Sequence, residues 1–274
     1  MSIPSIIRIL LLGIILVLGG LWIGQNVNLL PVDASLNAPV YDELFRVLFS
    51  IGTILFLGIL GLVLFSLIKF RRRPGQQGDG LALEGNLSLE VFWTAVPAVV
   101  VLFIGLYSFD IYDRMGGMVP LNHGAHDHQQ MDMQQNIWGG IGANVEVSNT
   151  DNALAALPVE VTALQYAFLF HYPKGDIISG ELHVPKGQLV SLRLEAKDVI
   201  HAFWVPEFRI KQDVIPGQPT VLNFTATKTG RYSIVCAELC GPYHGSMRSA
   251  VVVDEADDYN TWFSNNAKTT VSEA

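Results

Sequence analysis

Long apolar stretches in the first part of the chain predict membrane helices. Residues 47–68 contain no charged side chain and are followed by a basic cluster at 69–73. A second apolar run covers 91–109 and includes Pro97, which a membrane helix tolerates at the cost of a kink. About twenty apolar residues cross a bilayer, and basic flanks stay in the cytoplasm. We therefore predict a transmembrane hairpin at 41–112, with everything after it outside the cytoplasm.

The apolar segment at 3–23, which has Arg8 near its start, allows two interpretations. It is long enough to be a retained transmembrane helix. A short basic region, an apolar core and the cleavage-like run Val32-Asp33-Ala34 would also fit a signal peptide. Residues 1–34 are therefore predicted to be a signal segment or a further membrane helix, with retention or late cleavage slightly favoured.

From residue 159 onward the pattern changes to short runs rich in β-branched and aromatic residues, several of which alternate apolar and polar positions. Turn sequences such as Pro173-Lys174-Gly175 separate these runs. Regularly spaced short strands predict a β-sandwich or barrel at 159–274, and a short terminal helix at 255–263 is predicted to pack back on it. The fold class is thus membrane-anchored all-β.

Between the hairpin and the β region, residues 113–158 are rich in Gly, Asn, Gln and Met and are predicted to form a long surface loop. Three imidazoles and two thioethers lie close together in it. This cluster either captures copper transiently or belongs to a solvated insert, and the second interpretation is the commoner one for long polar loops. The cluster consists of His123, His126, His128, Met131 and Met133.

Composition agrees with a membrane protein and excludes one class of partner. The chain has 274 residues, of which 50% are hydrophobic and 15% charged. Its net charge is −8, which argues against nucleic-acid binding through a basic surface. Residues 113–274 carry 18 acidic and 11 basic side chains. This acidic excess either steers a basic electron donor or simply maintains solubility.

Candidate metal ligands are concentrated between residues 236 and 247. Cys236 and Cys240 are the two cysteines of the chain, and His244 and Met247 follow them. Alone, the cysteine pair of an exported domain would favour a disulfide, and a zinc site is the next alternative. Structural zinc does not use a thioether, whereas thiolate, imidazole and weakly bound methionine are the ligands of copper electron-transfer sites. A further imidazole is expected from His201, placed at the end of a strand-like run.

The pattern C-x-E-x-C-x3-H-x2-M, with Asp-Val-x-His upstream at 198–201, resembles the dinuclear copper (CuA) site of subunit II of haem–copper cytochrome c oxidases. The resemblance covers about 42–253 and implies a cupredoxin-like β domain. It also implies that two cysteine thiolates bridge two copper ions, that each histidine binds one of them, and that a thioether and a main-chain carbonyl are axial ligands. These residues are, in that order, Cys236 and Cys240, His201 and His244, Met247, and Glu238.

The resemblance implies further roles for acidic residues. The side chain of Glu238 is expected to help hold a magnesium ion at the contact with subunit I, although its null role is a simple loop carboxylate. Glu90, at the start of the second hairpin helix, matches a residue at the entrance of a proton channel. An acidic residue there is also favoured by the helix dipole alone. Asp213 lies in a segment that resembles the part facing subunit I.

By the same resemblance, the chain is subunit II of an aa3-type oxidase. It would receive electrons from a soluble donor of the cytochrome c type and pass them to haem in subunit I, where oxygen is reduced to water with proton pumping. Subunit I, subunit III and the lipid membrane are the expected partners. The membrane is the inner membrane or an internal photosynthetic or respiratory one, with copper on its periplasmic or lumenal side. The hairpin contains no histidine to bind haem, so the chain is not catalytic alone.

One segment departs from the family pattern. The family often has Gln-Trp-x-Trp, whose first tryptophan receives the electron, but here the sequence is Gln165-Tyr166-Ala167-Phe168. Tyr166 is therefore a candidate for that role. Trp204 is a second candidate, although a tryptophan in the core of a sandwich is the commoner explanation for it.

Three other functions remain possible at this stage. A quinol oxidase subunit II shares the fold but lacks the copper ligands that this chain retains. A membrane-anchored protein for copper electron transfer or copper delivery outside an oxidase needs only one tether, whereas this chain has a hairpin. The copper domain of nitrous oxide reductase requires a large additional catalytic domain.

Overall fold

The computed structural model describes residues 4–72, 74–75, 85–117, 138–139 and 156–268. The chain forms two compact units, one made of residues 1–29 and 42–109 and the other of residues 30–41 and 110–274. The first contains the membrane helices and the second contains the β domain. The imidazole and thioether cluster predicted at 123–133 lies outside the described residues.

The first unit is built from three helices: α1 (Ser5–Asn26), α2 (Ala38–Lys69) and α3 (Leu87–Arg114). Each is long and apolar enough to cross a membrane. Most of their large apolar side chains are exposed, as suits surfaces that face lipid. The helices α2 and α3 extend beyond the apolar runs from which we predicted them, because helical hydrogen bonding continues through polar residues at the membrane surface.

Helices α1 and α2 approach closely at two glycines. A Cβ atom added to Gly20 would overlap the side chain of Ile54, and one added to Gly24 would overlap Ser50. Ser50 is buried at this contact, and its hydroxyl donates a hydrogen bond to the carbonyl of Arg46 within α2. Small residues that let two helix backbones approach are the usual basis of helix packing in membranes.

The second unit is a sandwich of two sheets. One sheet has the strand order β1-β9-β6-β2-β3-β4 and the other has the order β5-β11-β10-β7-β8. The described strands are β1 (Trp138–Gly139), β2 (Leu157–Leu164), β3 (Ala167–Tyr172), β4 (Ile177–Ser179), β5 (Leu182–Pro185), β6 (Leu189–Ala196), β7 (His201–Val205), β8 (Ile210–Val214), β9 (Thr220–Thr225), β10 (Gly230–Cys236) and β11 (Arg248–Asp254).

Alternating side chains from both sheets form the core of the sandwich. Along β6, every second residue from Val190 to Ala196 is buried, as a strand with one face on the core requires. Phe168 of one sheet meets Phe203 of the other edge to face, with ring centroids 5.8 Å apart. The all-β prediction for this region is confirmed. His201, however, is the first residue of β7, so its placement at the end of a strand was wrong.

The C-terminal helix α4 (Ala256–Asn266) packs against the sandwich as predicted. Its Trp262 stacks on the imidazole of His183 at a centroid distance of 4.1 Å and meets Tyr172 edge to face at 5.2 Å. The helix ends three residues later than the sequence suggested, because its last turn is still hydrogen-bonded.

The segment between α1 and α2 is attached to the β domain at residues 31–36, which we call the strap. The amide of Ala34 donates to the carbonyl of Glu207, and the carbonyl of Ala34 accepts from the amide of Thr227, each at 2.9 Å. The amide of Leu36 donates to the carbonyl of Thr225 at 3.1 Å. The strap therefore continues the hydrogen bonding of the sandwich at one end.

Arg209 anchors the start of the strap. Its guanidinium donates to the carbonyl oxygens of Pro31 at 2.6 Å and of Pro206 at 2.7 Å. The residue is buried and has a left-handed backbone conformation, with φ of 56°. Such a conformation costs free energy in a residue other than glycine, so the contacts of the guanidinium must offset that cost.

Candidate metal centre

The candidate ligands lie on the connection between β10 and β11, which we call the ligand loop (residues 236–247). Cys236 is the last residue of β10, and Met247 directly precedes β11. The amide of Cys236 donates to the carbonyl of Met247 at 3.1 Å and closes the base of the loop. A short 3-10 turn at His244–Ser246 brings the chain back towards the sheet. Two paired strands thus hold both ends of the loop.

The two cysteines are not joined to each other. Their Sγ atoms are 3.9 Å apart, and both residues are free thiols and almost fully buried. A disulfide requires a separation near 2.05 Å. The alternative of a structural disulfide is therefore wrong for this structure.

Each sulfur has its own imidazole and its own second neighbour. The Sγ of Cys236 lies 3.9 Å from Nδ1 of His201 and 3.4 Å from the main-chain oxygen of Glu238. The Sγ of Cys240 lies 3.5 Å from Nδ1 of His244 and 3.7 Å from Sδ of Met247. The six predicted ligands therefore come together as two half-sites that share a pair of sulfurs.

The chemistry of this donor set fits copper. The ligand atoms of His201, Cys236 and Cys240 lie within 4.8 Å of one another, and all three residues are buried. Thiolate, thioether and imidazole are the soft and intermediate donors that copper prefers. The thioether of Met247 at the rim argues against a structural zinc site, since such sites are closed by cysteine and histidine.

Asp198 orients the imidazole of His201. Its Oδ1 lies 2.8 Å from Nε2 of that ring, which leaves Nδ1 directed at Cys236. Partial burial raises the pKa of the Asp198 carboxyl, but hydrogen bonds from His201 and from the amides of Gln165 and Val199 outweigh it and lower the pKa. A carboxylate on the far nitrogen is the usual arrangement behind a metal-binding histidine. The sequence motif contained Asp198, but we did not predict this role.

Burial also acts on the sulfurs. It raises the pKa of the Cys240 thiol to about 11, with a further contribution from the neighbouring Cys236. Without a metal, this sulfur is therefore protonated near neutral pH, and a metal that binds it must displace a proton.

The turn between β2 and β3 is the part of the site that sequence reasoning missed. The side-chain amide of Gln165 donates to the carbonyl of Cys240 at 2.6 Å. Its main-chain amide donates to Oδ2 of Asp198 at 2.7 Å. We had quoted Gln165 only as part of the departure from the family pattern. Its position in the hairpin directly before Tyr166 was the available signal.

The two candidates for electron acceptance lie in different surroundings. Tyr166 meets Tyr243 of the ligand loop edge to face, at a centroid distance of 5.4 Å. A Cβ atom added to Gly241 would lie 2.7 Å from Oη of Tyr166, so the phenol touches the loop. Trp204 is not a core residue, because its side chain is 39% exposed on β7.

The remaining acidic candidates are also described. Glu90 is an exposed residue in the first turn of α3, within the helical unit. Asp213 is exposed on β8 and pairs with Lys211 at 3.7 Å. Glu238 is half-buried in the ligand loop. The roles expected for Glu90 and for the Glu238 side chain stay predictions.

Comparison with known proteins agrees with this arrangement. Residues 20–111 match the family described as cytochrome c oxidase subunit II, transmembrane domain, and residues 176–255 match its periplasmic domain. Cytochrome c oxidase subunit 2 of Thermostichus vulcanus is 44% identical over 95% of this chain and 85% of its own length. The Synechocystis protein of the same name is 42% identical over 97% and 84%.

Among solved structures, the periplasmic domain of subunit II of cytochrome oxidase from Bradyrhizobium japonicum aligns with a TM-score of 0.39 and 30% identity, over 42% of this chain and 96% of that one. The identity to the Thermostichus protein extends over almost the whole chain, and both regions of the subunit are matched separately. This chain therefore belongs to the cytochrome c oxidase subunit II family.

Proposed function

We propose that the two half-sites of the ligand loop hold the CuA centre of this subunit. The observation that carries the proposal is a pair of buried, unbonded sulfurs 3.9 Å apart, each with an imidazole Nδ1 within 3.9 Å. The residues assigned are His201, Cys236, the main-chain carbonyl of Glu238, Cys240, His244 and Met247.

As a cytochrome c oxidase subunit II, the chain is an electron-transfer subunit of a haem–copper oxidase and part of an oxidoreductase complex that includes subunit I. It is a membrane protein whose copper domain lies on the outer side. When bound, a pair of copper ions supplies a one-electron redox centre. The contribution of the protein is to place the ligands on a rigid scaffold, so that little rearrangement accompanies electron transfer.

The ligand assignment is tested by copper content and electron paramagnetic resonance of the full-length chain purified in detergent. We expect two copper ions per chain and hyperfine coupling of one unpaired electron to both nuclei. Cys236→Ser should abolish the signal, because the replacement removes one bridging thiolate. A serine at Ser233, which is exposed on β10, offers a matched control, and Ser233→Ala should leave the signal unchanged. Co-purification with a haem-containing subunit would separate an oxidase from an anchored copper carrier.

Tyr166, rather than Trp204, is proposed as the residue through which electrons arrive. Its phenol touches Gly241 of the ligand loop, and its ring contacts the exposed Tyr243. Tyr166→Leu should slow the oxidation of reduced donor about tenfold or more while the copper signal persists. Trp204→Leu should have little effect. The reverse pattern would assign the role to Trp204.

The donor is proposed to be a small basic cytochrome c. The support is the acidic excess of residues 113–274, since opposite charge raises the rate of encounter. The second-order rate of donor oxidation should then fall as ionic strength rises. A rate independent of salt would contradict electrostatic steering of this donor.

Two finer roles and one partner complete the proposal. The Glu238 carboxylate is proposed to help hold magnesium at the contact with subunit I, so Glu238→Ala should reduce magnesium content while keeping both copper ions. Glu90 is proposed as the entrance of a proton channel, so Glu90→Gln should slow turnover without changing the copper signal. Subunit III is proposed as a further partner and should co-purify in mild detergent.

A further inference from the structure

Three connections of the sandwich meet at the candidate metal centre, and one residue contacts two of them. The β2–β3 turn contains Gln165, the β6–β7 connection contains Asp198, and the ligand loop follows β10. Strands β2 and β3 belong to one sheet, whereas β7, β10 and β11 belong to the other. Gln165 therefore reaches from the first sheet to the connections that carry the ligands of the second.

The two hydrogen bonds of Gln165 act on opposite halves of the site. Its main-chain amide donates to Oδ2 of Asp198, whose Oδ1 faces the imidazole of His201. Its side-chain amide donates to the carbonyl of Cys240, the residue whose sulfur faces His244 and Met247. A distance of 2.6 Å places the second bond at the short end of the range for N–H donors.

The ligand loop is shaped to receive this side chain. Gly241 has a φ of 141°, a conformation that L-residues rarely adopt. A Cβ atom there would lie 2.9 Å from Nε2 of Gln165. The glycine therefore lets the amide approach the Cys240 carbonyl, and the loop cannot move towards the turn without a collision.

We propose that Gln165 is a positioning residue for the CuA centre. It fixes the two sulfur-containing halves of the ligand set relative to each other. The proposal rests on the copper site proposed above. The amide also directs a partial positive charge at the loop, which favours the reduced, less positive state of a bound metal. Loss of the amide should therefore lower the reduction potential of the site.

The test uses the full-length chain in detergent and the variants Gln165→Met and Gln165→Glu. Methionine preserves the length of the side chain but cannot donate, and glutamate preserves the shape but replaces the amide donor with a carboxyl. The main-chain bond to Asp198 remains in both variants. Gln218→Met is the matched control, since Gln218 is an exposed glutamine in another turn. The readouts are copper content, hyperfine coupling and reduction potential.

In both Gln165 variants we expect two copper ions, unequal coupling to the two nuclei, a lower potential and about fivefold weaker copper retention against a chelator. That factor corresponds to the loss of one ordinary hydrogen bond. An unchanged spectrum and potential would overturn the proposal, even if donor oxidation slowed, because that result would assign Gln165 to donor docking. If the unmutated chain bound no copper pair, the proposed function itself would fail, so the two failures are distinct. If one variant does not fold, the other carries the test.

Discussion

The ligand loop and the strap are both irregular segments attached to the same sandwich, but they are held in opposite ways. In the loop, side-chain atoms of Cys236, Cys240 and their neighbours converge at separations of 3.4–3.9 Å. In the strap, main-chain groups pair directly with the sandwich, and Arg209 accounts for further carbonyls. The strap is therefore complete without a ligand, whereas the donors of the loop are arranged around a shared centre.

This difference predicts that substitutions in the loop change metal binding more than folding, and that substitutions at the strap do the reverse. The following experiments test that separation, beginning with the largest expected effect.

Gly241→Ala should damage the loop most. The new methyl group would meet Tyr166 and Gln165, and a φ of 141° is unfavourable for alanine. We expect copper affinity to fall about 100-fold, which corresponds to roughly 3 kcal/mol. Competition with a chelator measures this loss. Gly245 has open space around its Cα, so Gly245→Ala is the control and should bind copper normally.

Arg209→Met should release the start of the strap. The variant loses charged hydrogen bonds to Pro31 and Pro206, and we expect the free energy of unfolding to fall by about 2–3 kcal/mol. Thermal unfolding measures the effect, while the copper spectrum should stay the same. Arg231 is an exposed arginine paired with Glu181, and Arg231→Met should have little effect. A change of the copper spectrum in Arg209→Met would show that the two segments are coupled.

The strap also bears on whether α1 is retained. Cleavage after Ala34 would remove the acceptors of Arg209 and the strap's bonds to Glu207 and Thr227. We therefore expect the assembled protein to begin before Pro31 and to keep α1, whose Gly24 packs closely on Ser50 of α2. Intact-mass spectrometry of the purified complex decides this. A mature chain that starts at Ser35 would contradict it.

A smaller effect is expected at His171, on the surface of β3. Hydrogen bonds to Glu160 and then to Asp176 outweigh a small effect of burial and raise its pKa above the ordinary 6.5. The stabilisation is fully present below pH 6.5 and is lost as the pH rises through the raised folded pKa. His171→Gln should remove this slope from the pH dependence of the unfolding temperature. An identical slope in the variant would assign it to another group.

The sequence predicted the ligand set well because the ligands are local. Cys236, Cys240, His244 and Met247 follow one another in one loop, so spacing alone suggested their chemistry. The membrane helices were predicted for a similar reason, since the bilayer sets the length of an apolar run. Their polar ends were missed because helical hydrogen bonding does not stop where the lipid does.

Contacts between distant segments could not be predicted in this way. Gln165 reaches the carbonyl of Cys240 across 75 positions of sequence, and this contact depends on the pairing of two sheets. Short strands such as β4 and β8 have too few residues for a periodic pattern. The strap was missed because its sequence contains no strand pattern, and its bonds are made by main-chain atoms.

The strap has a practical consequence for work on the copper domain in water. A fragment that begins after α3 would omit residues 31–36 and leave the space of Ala34 open against the core. The amide of Thr227 and the carbonyls of Glu207 and Thr225 would lose their partners there. Joining that hexapeptide to the fragment through a flexible linker, or adding it in trans as a synthetic peptide, should restore the missing edge.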